Sequence, residues 1–254
     1  MIGYGKMGGK ELGYASDLDL VYLFDDDAMD AEENYTRLSQ RLNSWLSSQT
    51  PAGILFETDL RLRPNGDSGL LAVSVDAFRD YQLKNAWPWE HQALTRARFC
   101  AGDPAVGRRF EEIRVEILRL PRDLAKLKED VVAMRRKMYD AHALNSATGF
   151  ALKHDPGGII DVEFIVQYLI LGHAHQYAEL TGNLGNIALL RIAGELGLID
   201  PGQAKAAGNA YREYRRLQHA RRLSATPKAP IPREEVEAHI AAVTTLWQSV
   251  LGGA

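Results

Sequence analysis

Between residues 17 and 24 apolar and polar side chains alternate. Leu18, Leu20, Tyr22 and Phe24 fall on one face and Asp17 and Asp19 on the other, which predicts a strand. A second alternation covers 54–63. Ile54, Phe56, Thr58, Leu60 and Leu62 share one face; Leu55, Glu57, Asp59, Arg61 and Arg63 share the other. Residues 70–75 read as a further short strand. Between the first two strands, Tyr35, Leu38, Leu42, Trp45 and Leu46 recur at the helical spacing and predict a helix over 33–49, stopped by Thr50-Pro51-Ala52-Gly53.

Beyond residue 75 the period becomes helical. Ser74 or Asp76 caps a helix carrying Phe78 and Tyr81. Pro88 opens a helix over 89–99 with Glu90, His91, Arg96 and Arg98, and Asp103-Pro104 starts one that lines up Val106, Phe110, Ile113 and Ile117. Leu120-Pro121-Arg122 reads as a boundary. After it Leu124, Leu127, Val131, Met134 and Met138 line a helix, 142–158 is looser, and helices follow over 160–174, 183–197, 201–223 and 232–251. The expected class is α+β: a domain at 1–120 with a small mixed sheet, then an all-α helical bundle at 121–254.

Composition narrows this picture without redirecting it. The 254 residues are 46 % apolar and 25 % charged, and the net charge of −3 gives no global nucleic-acid signature. A single cysteine, Cys100, excludes an internal disulfide framework, fits a reducing compartment and reads as a small buried apolar residue. No stretch approaches 18 apolar residues and no signal-peptide pattern opens the chain, so a cytoplasmic location and no membrane partner are expected. Met1-Ile2 precede a glycine-rich stretch directly, so the chain reads as a piece of a longer protein with its first strand trimmed.

The chemistry concentrates near the start. Asp17 and Asp19 lie about 6–7 Å apart along a strand and face one way, so their oxygens can converge on a pair of divalent ions. Hard carboxylate oxygens suit Mg²⁺, which usually arrives with substrate phosphates. Gly8 and Gly9 let backbone N–H groups approach a phosphate. Together they suggest nucleotidyl transfer rather than two solvated acids at a strand end. Gly3-x-Gly5-x-x-Gly8 matches the dinucleotide fingerprint, but the nine residues from Gly8 to Leu18 cannot hold the crossing helix it needs, which excludes a nicotinamide site. Asp59 either completes a carboxylate triad, with Arg61 and Arg63 meeting phosphates or a protein substrate, or belongs to an amphipathic edge strand with cross-strand ion pairs. Asp25-Asp26-Asp27 reads as a solvated turn.

Three features of the second half carry milder readings. His173-x-His175, two apart on a helix, point to opposite sides and are discounted as a metal pair. The basic stretch 205–228 reads as a solvated face, with RNA or an acidic protein surface as the alternative. Asp161 and Glu163 after Gly157-Gly158 read as helix capping.

Longer motifs carry a resemblance. Gly3 to Tyr14 followed by Ser16-Asp17-Leu18-Asp19-Leu20-Val21, then Asp59-Leu60-Arg61-Leu62-Arg63-Pro64-Asn65-Gly66, Trp87-Pro88-Trp89-Glu90-His91-Gln92-Ala93-Leu94 and Gly157-Gly158-Ile159-Ile160-Asp161-Val162-Glu163-Phe164, resemble the glutamine synthetase adenylyltransferase family over nearly the whole chain. The resemblance implies a polymerase-β-like nucleotidyltransferase domain followed by a helical bundle. Glu11-Leu12-Gly13-Tyr14 and Trp89-Glu90-His91-Gln92 resemble the family's AMP-attaching half rather than its AMP-removing half. It further implies Asp17, Asp19 and Asp59 as catalytic metal ligands, Gly8 and Gly9 as the phosphate loop, and Lys10 or Ser16 as a phosphate contact. The implied reaction is Mg²⁺-dependent transfer of AMP from ATP to a tyrosine of glutamine synthetase, with a PII signal protein as a further partner. A uridylyltransferase, a small-molecule nucleotidyltransferase and a non-catalytic partner-binding fragment are the competing expectations.

Overall fold

The computed structural model describes residues 1–14, 16–54, 56–142, 149–224 and 230–252. It divides into two compact units, Met1–Arg119 and Leu120–Ala254.

The first unit is built around a small mixed sheet. Its elements are β1 (Ile2–Gly3), α1 (Gly5–Gly8), β2 (Leu18–Phe24), α2 (Ala31–Leu46), β3 (Thr58–Asp59), β4 (Ala72–Ser74), α3 (Val75–Lys84), α4 (Pro88–Leu94), β5 (Arg98–Phe99) and α5 (Pro104–Leu118). β2 is the hub. β1 pairs with it antiparallel, Ile2 opposite Val21, and joins β5 on its other side. β3 runs parallel to the start of β2 and β4 parallel to its end. The expected apolar face forms: Leu18, Leu20, Tyr22 and Phe24 are buried with Ala31 and Ala72. α2 closes over them with Tyr35, Leu42 and Leu46, and Tyr35 stacks on Phe24 with ring centroids 4.8 Å apart. Each buried large apolar side chain contributes about 1.5–3 kcal/mol.

Several expectations change here. Of the strand expected over 54–63, Leu55 lies outside the described residues and Thr58–Asp59 form β3, which ends there because the chain turns immediately afterwards and Arg63 ties that turn to itself. The helix over 89–99 stops at Leu94, and Arg98-Phe99 enter the sheet as β5 beside β1. Ile2 and Gly3 form a two-residue strand placed between β2 and β5. Trp45 and Leu38 leave the buried stripe of α2 and are exposed. Cys100 is half-buried rather than buried. The start signals act as read: Ser74 accepts the Ala77 N–H at the head of α3, and Asp103 the Ala105 N–H, with Pro104 in the first turn of α5. Of the aspartate run, Asp25 pairs with Arg109 and Asp26 accepts from the Ala28 N–H and the Tyr35 hydroxyl.

The second unit is helical: α6 (Leu124–His142), α7 (Ile159–His173), α8 (Asn186–Glu195), α9 (Pro201–Leu223) and α10 (Arg233–Leu251). α7 is apolar on all sides and buried nearly throughout, so it is the axis on which α6, α8, α9 and α10 pack. Asp161, in its first turn, accepts the Gly157 N–H at 2.6 Å and a guanidinium N–H of Arg135; both side chains of that pair are buried. Tyr214 donates to the Gly157 carbonyl at 2.9 Å. The Gly157-Gly158 motif is therefore a helix start locked by a buried ion pair. Glu163 accepts from the Tyr211 hydroxyl. α7 ends at His173, so His175 lies beyond the helix. Lys228 of the basic stretch lies outside the described residues. No helix among the described residues is long and apolar enough to cross a membrane.

Candidate active site

β2 and β3 bring the acids together. Their parallel register sets Asp19 directly beside Asp59, and side chains at paired positions of neighbouring strands leave the same face. Asp17 sits one residue before β2 and is exposed; Asp19 is half-buried. Burial first, then the negative charges of Asp59 and Asp17, push the Asp19 carboxyl up to about 6, against the opposing pull of Arg96 and Lys6. Asp59 goes the other way. Arg61 Nε donates to both its oxygens at 3.1 and 3.0 Å, the Arg61 backbone N–H adds a third bond at 2.9 Å, and these bonds hold Asp59 below the usual carboxylate range.

Among the described residues no three His, Cys, Asp or Glu side chains form a metal-binding group. In this conformation the oxygens of Asp59 go to Arg61. The Arg61 side chain is 73 % exposed, so its bonds to Asp59 are what hold it there. Burial, with two like-charged neighbours added to it, disfavours the ionised form of Asp19, and a divalent ion would offset that with the hard oxygen donors Mg²⁺ prefers. The carboxylates of Asp17, Asp19 and Asp59 are chemically the type of donor such an ion takes.

The glycine stretch differs from its sequence reading. Residues Gly5–Gly8 wind one helical turn, and the Gly8 and Gly9 N–H groups donate to the Tyr4 and Gly5 carbonyls at 2.7 and 3.0 Å, so neither amide points at a ligand. The glycines are needed for close approach instead. A Cβ on Gly8 would lie 2.1 Å from the Arg96 carbonyl oxygen, one on Gly9 2.8 Å from Arg96 Nε, and one on Gly5 2.1 Å from Asp19 Oδ2. Gly5 also has φ +51, a region that suits glycine. Lys10, just after the turn, is exposed and holds φ +59, uncommon for a side-chain-bearing residue.

The other expected contacts divide. Ser16 is buried, and its hydroxyl accepts the Gly13 N–H at 3.0 Å, so it holds the loop. Arg63 is turned inward and donates to the carbonyls of Leu60, Asp67 and Gly69 at 2.7, 3.1 and 3.2 Å; it clamps the turn rather than facing outward with Arg61. Two arginines after α4 had no assigned role in the sequence. Arg98 donates to the Met7 and Gly8 carbonyls, closing the end of α1. Arg96 binds Glu11 at 2.7 Å beside the glycine turn. The sequence signal was the basic pair itself, but the helix read over 89–99 spread it around a helical surface instead of folding it back under residues 5–11.

A small mixed sheet carrying acids on adjacent strands, accompanied by a helical unit, defines an α+β protein of the nucleotidyltransferase fold class. Residues 1–113 match the family model of glutamate-ammonia ligase adenylyltransferase, and residues 125–247 match that of GlnD PII-uridylyltransferase. The bifunctional glutamine synthetase adenylyltransferase/adenylyl-removing enzyme of Aromatoleum aromaticum is 65 % identical over all 254 residues, which span 27 % of that relative. The proteins of the same description from Nitrosomonas europaea and Bordetella bronchiseptica are 56 % and 58 % identical, each over 99 % of this chain and 28 % and 27 % of their own. The chain is thus similar over nearly all its length to one part of these enzymes and spans about a quarter of the length of the curated relatives it matches.

Proposed function

We propose that the chain transfers AMP from ATP to a tyrosine hydroxyl of glutamine synthetase and releases pyrophosphate. Asp17, Asp19 and Asp59 would hold Mg²⁺, which when bound neutralises triphosphate charge and acidifies the attacking hydroxyl. The observation that carries the reading is the parallel register that sets Asp19 beside Asp59, with Asp17 close enough to act on Asp19. Residues 1–119 are the catalytic domain in this reading, and the helical unit accompanies it.

The chain's own residues do the following. Arg61 leaves Asp59 for an incoming phosphate, with Lys10 as a second cation at the turn. Freed of Arg61, Asp59 has an oxygen available to act as the proton acceptor. It takes the tyrosine proton as the oxygen–phosphorus bond forms at the α-phosphate and the bond to the β-phosphate oxygen breaks. The motifs at 11–14 and 89–92 favour the AMP-attaching reaction over the AMP-removing one.

The test is label transfer from α-labelled ATP to glutamine synthetase with Mg²⁺. Transfer by the wild type and a fall of about 10²- to 10³-fold in Asp17→Asn is expected, by analogy with other removals of a reaction's charge-stabilising groups. Unchanged transfer by Asp17→Asn removes the assignment. The match of residues 125–247 to the PII-uridylyltransferase model favours a second reading, in which UTP is the donor and a PII signal protein the acceptor. The same assay with those substrates separates the two.

A further inference from the structure

We propose that Arg96 is a positioning residue of the candidate nucleotide site: pinned by Glu11, it fixes the glycine turn against the acids where a bound triphosphate must lie. The inference rests on the nucleotidyltransferase reading of that site and extends it to residues outside the acid set.

The turn at 5–9 is held from two sides. On one side Gly5 lies against Asp19, where a Cβ would sit 2.1 Å from Oδ2. On the other, Gly8 lies against the Arg96 backbone and Gly9 against its guanidinium, with Nε and Nη2 at 2.8 and 3.0 Å from a Cβ position. Three glycines are therefore fitted to two partners, one an acid of the proposed metal set and the other Arg96. The guanidinium is fixed in turn: Nη2 donates to Glu11 Oε2 at 2.7 Å, and the two side chains are only 13 % and 18 % exposed. Burying such a pair is a poor way to gain stability, since desolvation offsets much of the attraction, but it is an effective way to specify one register. Arg98 anchors the same turn independently through the Met7 and Gly8 carbonyls. Its contacts are to backbone oxygens at the end of α1, so Arg96 is the one of the two whose cation faces Gly9 and acts on Asp19. The guanidinium matters because its Nε and Nη2 lie where even a Cβ on Gly9 does not fit, a close planar approach that the rounder lysine ammonium cannot reproduce.

The experiment compares the full chain with Arg96→Ala, Arg96→Lys and Glu11→Gln by calorimetry with MgATP and by amide exchange. Arg96→Ala is expected to raise exchange at residues 5–13, leave exchange in α7 unchanged, and weaken ATP binding about 10- to 100-fold, the range of a charge-assisted contact. Arg96→Lys is expected to recover less than half of that loss on a logarithmic scale. Glu11→Gln, which retains Arg96 but weakens the ion pair that pins it, shifts both readouts the same way by a smaller factor. Full recovery by Arg96→Lys would show a role for charge alone and overturn positioning. So would wild-type exchange and affinity in Arg96→Ala, or, if that variant does not fold, in Glu11→Gln. A wild-type chain that binds no MgATP defeats the nucleotide reading, and exchange at 5–13 still decides whether Arg96 orders the turn.

Discussion

Asp19 is pressed by burial and by two like charges, and its titration has a consequence for stability. Its folded-state pKa of about 6 lies above the ordinary carboxylate value. Its contribution is therefore fully present below the ordinary value near 4 and is lost as pH rises through 6. In the metal-free chain, Asp19→Asn should stabilise the fold at pH 7.5 by about 1–2 kcal/mol after solvent screening, seen as a higher thermal midpoint, with the gain gone at pH 4. Scanning calorimetry at the two pH values checks this; an equal effect at both would deny the charge crowding. Gly8→Ala should destabilise the first unit at any pH, because its Cβ would meet two backbone oxygens, those of Arg96 and Gly3, that cannot yield cheaply. The acids were legible because alternation fixes which way a strand residue points. Arg63 was not, since alternation ends with β3 at Asp59 and the arginine then satisfies the carbonyls of its own turn. The glycine pair was legible as a place of close approach, but the neighbour it approaches, Arg96, comes from a segment 85 residues beyond Glu11 in sequence.

Among the elements, β2 carries the most. It supplies the register partner of Asp59, the wall against α2 and the pairing edge for β1. Leu20 at its centre is fully buried, and Leu20→Ala should cost about 2–5 kcal/mol in a denaturant titration. A cost under 1 kcal/mol would place the core of this unit elsewhere. The helices with a cap residue and a proline in the first turn were read well from sequence, as Asp103-Pro104 and Asp200-Pro201 show. The strands were harder: β3, β4 and β5 are two or three residues long, and pairing with β2 or β1, rather than local pattern, decides where they form. In the helical unit, Arg135→Ala leaves Asp161 buried without its cation. A loss of about 3–5 kcal/mol is expected, read as faster amide exchange along α7.

At the scale of the molecule, each unit has its own core, and each matches a different family model. In the sequence Leu120-Pro121 interrupts the run of helices, and the two compact units divide after Arg119. The Leu20→Ala and Arg135→Ala perturbations should therefore each raise exchange mainly within their own unit. The account as a whole stands on Asp17, Asp19 and Asp59 gathering around divalent cations beside the glycine turn. The most direct measurement is anomalous scattering from a crystal grown with Mn²⁺ and a non-hydrolysable ATP analogue. The account predicts Mn²⁺ bound by oxygens of all three aspartates and by the triphosphate, with Arg61 withdrawn from Asp59. Manganese absent from these residues, or nucleotide bound elsewhere while the Arg61–Asp59 pair stays intact, would contradict it.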